Sequence, residues 1–395
     1  MKKSLLIFHI LTIFQSIANN LAHPVTPALI NNLALRDSMF GFAFAAMSTG
    51  IFLFSLFWGE LSSRIKKTTI LLIALVGYGV AQYLFMIATN EIMIVAARFM
   101  AGVFTGGFQV SQLNYLVSQN SLEDRGYHLT LSSILVIASS TVGYFIGGIV
   151  GDTSIPLVFY IQVLSCFVVG ILYYVLLTKS ETVEKKASLD IKKMNPLSSI
   201  GLAKDVLTPM IGVVMVVVLF AWMASTSFDQ SFNYYIRDVF NFPPSYNGYL
   251  KMATGLVGVV ANFSLGMYLI KRTNVKKSYS VLMAIMGVSG LIAVWVQQLW
   301  LFIFFAFIFI ALDAMSKPLQ QSLVASLSDD YHESHILMGF YNTMRSLGMI
   351  VGALLAGLIY EQIKIGPFVF ASVVILVGGF LLMRMAHLKD SFNAR

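Results

Sequence analysis

The chain has very little charge: 11% of its 395 residues are Asp, Glu, Lys or Arg, against about 25% in a soluble globule. With 57% apolar residues and a mean hydropathy of +0.79, that shortage excludes a water-soluble domain and puts the chain in lipid. Cysteine is almost absent. The single Cys166 lies in an apolar run, so neither a disulfide framework nor a thiolate metal site can be built, and it reads as a small buried hydrophobe. No G-x-x-x-x-G-K-[ST] loop occurs, which excludes the usual cradle for ATP and leaves an ion gradient or the substrate's own gradient as the energy source. The short alternating segments of an outer-membrane barrel are missing too.

What is present is a series of long apolar runs. The length accommodates about 12 transmembrane helices. Hydropathy windows place them at 5–30, 39–61, 68–89, 92–118, 127–151 and 155–178, then 207–235, 246–270, 278–296, 299–326, 335–360 and 366–386. The run after Met1-Lys2-Lys3 is longer than the apolar core of a signal peptide and reads as an uncleaved first span. The polar stretch 179–206 reads as a cytoplasmic linker between an N-terminal six-helix bundle, 1–178, and a C-terminal one, 207–395.

With both termini cytoplasmic, 19 of the 26 Lys and Arg fall on the inner side. Three (Arg36, Arg237, Lys364) fall outside and four (Arg98, Lys251, Lys317, Arg345) fall within spans. The net charge of +8 is therefore assigned to membrane sidedness and not to nucleic acid. The expectation is a multi-pass plasma-membrane protein that works as a monomer in the lipid bilayer.

A repeat is visible at an offset of about 207: Gly59 with Arg64, Lys66 and Lys67 answers to Gly266 with Lys271, Arg272 and Lys276. Glu123-Asp124 followed by Gly143, Gly147 and Gly151 answers to Asp329-Asp330 followed by Gly348, Gly352 and Gly357. Six spans per copy make the copies parallel, an arrangement typical of transporters with a substrate site at mid-depth.

A charge at mid-bilayer costs about 2.5–3.5 kcal/mol on insertion scales, so each one needs a reason. In the fourth span Arg98, Gly102, Thr105, Gln109 and Gln112 fall on one arc of roughly 80°. The tenth repeats the theme with Asp313, Lys317 and Gln320, the seventh with Ser225, Asp229 and Asn233, and the first with Gln15, Asn19 and His23. Such stripes face protein or water, and interhelical hydrogen bonding is the plainer account of them. Asp313 and Lys317 stand one turn apart, the spacing of a simple ion pair; alternatively Asp313 exchanges a proton or a cation. Asp229 has no basic residue within a turn on its own helix, which suits a group that loads and releases protons. Arg98 is a candidate charge partner for either acid, and Arg345 for a cavity acid or a gate. Lys251, near a span end, reads as snorkelling to the interface. His332-Glu333-Ser334-His335 is not H-E-x-x-H and is expected in a solvated loop, so no metal site is expected.

Several motifs together resemble the major facilitator superfamily over essentially the whole chain, and within it the 12-span drug:proton antiporter branch. Gly59 through Lys67 resembles the loop signature after the second span, with Ser63 where the family has an acid and Lys66 where it has a second glycine. Arg98 and Gly102 resemble the branch's R-x-x-x-G motif, whose arginine is implicated in proton coupling. Gly143, Gly147 and Gly148 resemble its G-P-x-x-G-G motif, with Tyr144 in place of proline and Ser139 in place of the earlier glycine. Close helix packing is the plain alternative for these glycines. His23-Pro24-Val25-Thr26-Pro27 resembles the I-P-x-x-P segment. Phe228-Asp229 and Asp313 stand where NorA-type efflux transporters carry their membrane-embedded acids.

The resemblance implies an all-α membrane protein with 12 helices in two pseudo-symmetric six-helix bundles around a central cavity, lined by the first, fourth, seventh and tenth spans. It further implies a secondary transporter, not an enzyme, that needs no cofactor beyond a proton gradient and exports small molecules by alternating access. Phe14, Trp222, Phe228 and Phe232 are candidate apolar wall residues, and two buried acids would suit lipophilic cations. A narrow-substrate permease for a sugar, an amino acid or a lipid-linked metabolite is the other transport reading, favoured by Ser63 and Tyr144. Asp229 and Asp313 lack the sequence context of an intramembrane aspartyl protease.

Overall fold

The computed structural model describes residues 3–177, 195, 201, 207–296, 298–327 and 331–393. The linker expected at 179–206 lies outside the described residues except for Asn195 and Gly201. Among the described residues the regular structure is all helical: α1 (Lys3–Asn20), α2 (Thr26–Asn32), α3 (Met39–Ser62), α4 (Lys67–Met86), α5 (Glu91–Gln119), α6 (Leu122–Thr153) and α7 (Ile155–Leu177) come first. Then follow α8 (Pro209–Asp238), α9 (Pro244–Ala261), a π segment (Asn262–Gly266), α10 (Met267–Arg272), α11 (Val275–Trp295), α12 (Leu299–Ala325), α13 (Tyr331–Gln362) and α14 (Gly366–Asn393). Eleven helices among the described residues are long and apolar enough to cross a membrane.

Helix starts follow local chemistry. The Asn90 side chain accepts from the Met93 N–H at 3.0 Å to open α5, and Ser121 accepts from the Asp124 N–H at 3.3 Å to open α6. Asn274 caps α11 by accepting from Lys276 and Lys277.

Two expectations are corrected. The span expected at 5–30 is two helices, α1 and α2, separated by a turn at 21–25. Pro24 has no N–H to give an α ladder, and Pro27 sits in the first turn of α2, where a missing donor costs nothing. The span expected at 246–270 is found as one membrane-length run, Pro244–Leu269, that carries a π segment at Asn262–Gly266, whose Asn262 donates back to the Gly258 carbonyl at 3.1 Å. The stretch from His332 to His335 lies in α13, which already begins at Tyr331, and not in a loop.

Contacts divide the chain into two units. Unit 1 holds residues 1–35, 46–196 and 236–255, and unit 2 holds 36–45, 197–235 and 256–395. In unit 1, α4 packs on α5 and α7, and α1 packs on α6 and α7, around a core that includes Phe8, Leu71, Tyr78, Tyr115, Cys166 and Tyr173. In unit 2, α11 packs on α12 and α14 in the same pattern, with Phe228 stacked on Phe309 at 3.8 Å between ring centroids. The repeat extends to helix starts: α4 and α11 begin at Lys67 and Val275, and α5 and α12 at Glu91 and Leu299, 208 residues apart in each case.

Glycines set the closest approaches. On α6, a Cβ at Gly143 would strike the Ile17 carbonyl in α1, and one at Gly147 the Leu21 carbonyl in the turn that follows α1. On α13, a Cβ at Gly348 or Gly352 would strike the α8 carbonyls of Leu219 and Met223. Each unit thus uses two glycines four residues apart to seat one long helix against another.

Candidate functional site

Unit 1 gathers its polar side chains on α1, α2, α4 and α5. Arg98 is 7% exposed and donates to the Thr26 hydroxyl at 3.0 Å and, at the limit of a hydrogen bond, to Gln82 Oε1 at 3.5 Å. Its guanidinium lies 3.7 Å from the Phe85 ring centroid. None of these partners is a carboxylate, so hydroxyl, amide and ring together replace the acid expected beside it. Thr26 reaches Arg98 because the turn at 21–25 redirects the chain before α2.

The rest of the α5 stripe is mixed. Gly102 packs on the Met47 backbone, and a Cβ there would collide with it. Thr105 returns its hydroxyl to the Ala101 carbonyl at 2.8 Å, Gln109 is exposed, and Gln112 donates to Gln15 Oε1 at 2.8 Å and Tyr173 at 3.2 Å. Asn19 accepts through its backbone carbonyl from Tyr78 and Gln162, and Cys166 points its thiol at Asn19 Oδ1 at 3.6 Å. His23 is partly buried, edge-on to Tyr144.

The motif residues separate by role. Glu60 forms an ion pair with Arg64 at 2.6 Å, one turn before the Ser63 position. A Cβ on Gly59 would meet nothing nearer than Val110 at 3.8 Å, so packing does not demand that glycine. Gly148 does face backbone, at Pro244 and Gly248 within unit 1.

Unit 2 builds a tighter cluster on α8, α11, α12 and α13. Asp313 Oδ2 accepts from Ser225 at 2.9 Å and pairs with the Lys317 ammonium at 2.8 Å. Trp222 donates its indole N–H to Gln320 Oε1 at 2.9 Å, and Gln320 in turn donates to the Tyr279 hydroxyl at 2.9 Å. Two cations lie over the Trp222 ring, Lys317 at 5.1 Å and Arg345 at 4.5 Å from its centroid. Helix geometry brings them there: Trp222, Ser225 and Asp229 share a face of α8, while Asp313, Lys317 and Gln320 share a face of α12. Arg345 stands one turn before Gly348, where α13 touches α8 at Trp222. The α12 helix runs unbroken through Pro318, which offers no N–H to the Ala314 carbonyl.

Asp229, partly buried, accepts from Gln230 at 3.1 Å. The Oδ1 of Asn233 is buried and makes no hydrogen bond among the described residues. Phe228 is wholly buried against Phe309 and Phe368, so its ring is core and not a cavity wall here. Phe232 is core as well, and Phe14 is 56% exposed on α1.

Sequence reasoning missed Gln82, Tyr78, Gln162 and Tyr279. Tyr78 and Gln82 are four residues apart in an apolar run and hydrogen-bonded at 2.8 Å, a polar stripe of the same kind as the one read on the fourth span. Among the described residues no group of three or more His, Cys, Asp or Glu could hold a metal ion.

The sequence model of the Major Facilitator Superfamily matches residues 8–277 and again 214–394. Multidrug resistance protein 2 of Bacillus subtilis (strain 168) is 21% identical over 379 residues, covering 94% of this chain and 92% of the relative. Quinolone resistance protein NorA of Staphylococcus aureus (strain COL) is 22% identical over 388 residues, covering 96% and 95%. Among solved structures, the nucleoside transporter NupG superposes with a TM-score of 0.75 at 11% identity, covering 97% of this chain and 100% of that one.

Proposed function

Since the chain belongs to the Major Facilitator Superfamily and is a multi-pass membrane transporter by family and fold, we propose that it is a proton-coupled exporter of small amphiphilic compounds. It works by alternating access in the plasma membrane, as a monomer with both termini cytoplasmic and no cofactor beyond the proton gradient. The observation that carries this reading is the arrangement of acids in unit 2. Asp313 is held by Ser225 and Lys317 through Oδ2 alone, and its other oxygen makes no hydrogen bond among the described residues. Asp229, the second acid, lies four residues beyond Ser225 on α8. A carboxylate with one oxygen fixed and the other open is placed to take and release a proton, and an ion gradient then drives transport. The names of the relatives, multidrug and quinolone resistance proteins, favour export of more than one compound.

Everted vesicles with an imposed inward-acid pH gradient test the reading. Addition of substrate should release protons from the lumen, and Asp229→Asn or Asp313→Asn should abolish that release while leaving the protein folded. Undiminished proton release in both variants would remove both acids from the coupling step.

A second reading, a permease of narrow specificity, is favoured by Ser63 and Tyr144, which depart from the antiporter signatures. Thermal stabilisation by one sugar or amino acid, and by no amphiphile in a panel, would select it.

A further inference from the structure

The cluster around Trp222 carries more positive than negative charge. Lys317 is matched by Asp313 at 2.8 Å. Arg345 lies over the indole at 4.5 Å, with no carboxylate in contact among the described residues. The Lys317 side chain is 40% exposed and Arg345 is partly buried. A guanidinium in a span is costly to leave uncompensated, and the ring beneath it returns only about 0.5–2 kcal/mol. The arginine is charged at every physiological pH and presents a planar fork of donors shaped for a carboxylate or phosphate. The indole supplies an apolar face beside that fork, already fixed in place by its hydrogen bond to Gln320.

We infer that Arg345, with Lys317 beside it, is a binding subsite for the anionic head of the transported molecule, and that Trp222 receives the adjoining aromatic or apolar body. The substrate class is thereby narrowed from amphiphiles in general to anionic or zwitterionic ones, whereas two buried acids read from sequence pointed toward cations. The inference rests on the transport reading above. Asp313 does not cancel the site: its charge is spent on Lys317 and Ser225, and Arg345 keeps its own.

Three matched probes test it: radiolabelled 2-naphthoate, 2-naphthylmethanol and 2-naphthylmethylammonium, each measured for equilibrium binding to the full chain in lipid nanodiscs. A charge-assisted pair predicts that naphthoate binds at least about tenfold more tightly than the ammonium. Arg345→Gln should remove that advantage and leave naphthylmethanol unchanged. Arg345→Lys should keep most of it, and Lys317→Gln should reduce it, so the result does not depend on one variant folding. Tighter binding of the ammonium, or an equal loss of all three probes in Arg345→Gln, would overturn the subsite. Everted vesicles separate the two levels. Proton release on addition of the ammonium and not of naphthoate would sink the anion subsite and leave the exporter standing. A chain that binds none of the three and moves no protons with any of them would overturn both.

Discussion

The side-chain amide of Gln320 accepts from the Trp222 indole and donates to the Tyr279 hydroxyl, and Gln320 itself is 2% exposed. Its neighbour one turn earlier, Lys317, makes an ion pair with Asp313 and is itself 40% exposed. These two contacts should count very differently. Gln320→Leu leaves the part-buried Trp222 indole N–H without its acceptor and the buried Tyr279 hydroxyl without its donor, at about 1–3 kcal/mol for each. Lys317→Gln loses a pair of adjacent helix turns worth about 0.3–0.5 kcal/mol. Thermal unfolding of detergent-purified protein should show a clear drop in Tm for Gln320→Leu and little change for Lys317→Gln; the reverse order would show that the ion pair, and not the amide bridge, holds the cluster. Periodicity in the sequence placed Gln320, Asp313 and Lys317 on one face of a helix. It could not show that the amide was already occupied by Trp222 and Tyr279, since that depends on residues roughly 40 and 100 positions away meeting it. Arg98 gives the same lesson from the other unit: its inward direction was legible, while its partners Thr26, Gln82 and Phe85 come from α2 and α4.

At the scale of elements, the glycine pairs decide how closely helices approach. Gly147 faces the Leu21 carbonyl so directly that an added methyl must push α6 off the turn that ends α1, and Gly352 faces the Met223 carbonyl of α8 in the same way. Gly59, also in a family motif, looks into open space by comparison, with Val110 Cγ1 at 3.8 Å. Overpacking of this kind costs about 1–3 kcal/mol. Gly147→Ala and Gly352→Ala should therefore each lower Tm in detergent, and Gly59→Ala should not. Equal stability of all three would mean that α6 and α13 can shift without loss, and that the glycines answer to something other than packing. The glycine spacing was legible in the sequence because small residues four apart mark a helix contact. The turn at 21–25 was not read although Pro24 and Pro27 were in plain view, because a hydropathy window sums side chains and is blind to a missing N–H. The π segment at Asn262–Gly266 escaped for the same reason: one extra residue in a turn leaves hydropathy unchanged.

At the scale of the whole molecule, helix order and the internal repeat were legible because they are written in long apolar runs and in loop charges, neither of which needs a tertiary contact. The grouping of segments was not. Residues 36–45 belong with unit 2 and 236–255 with unit 1, although each lies within the other half of the sequence. Hydrogen bonds run the same way: the Asp37 carboxylate accepts from the Tyr234 hydroxyl at 3.0 Å in unit 2, and the Asp152 carboxylate accepts from the Ser245 N–H at 2.9 Å in unit 1. Sidedness is an expectation read from the distribution of Lys and Arg, and the lone cysteine makes it directly measurable. Cys166 is 1% exposed, so it gives a silent background to a membrane-impermeant maleimide. Lys364 is exposed between α13 and α14, and Arg272 is exposed at the end of α10. If translocation obeyed the excess of positive charge in the segments assigned inside, Lys364→Cys labels on intact cells, and Arg272→Cys labels only after the membrane is permeabilised. The opposite pattern would invert the chain, place both termini outside, and, under the proposed proton coupling, reverse the face from which Asp229 and Asp313 are loaded.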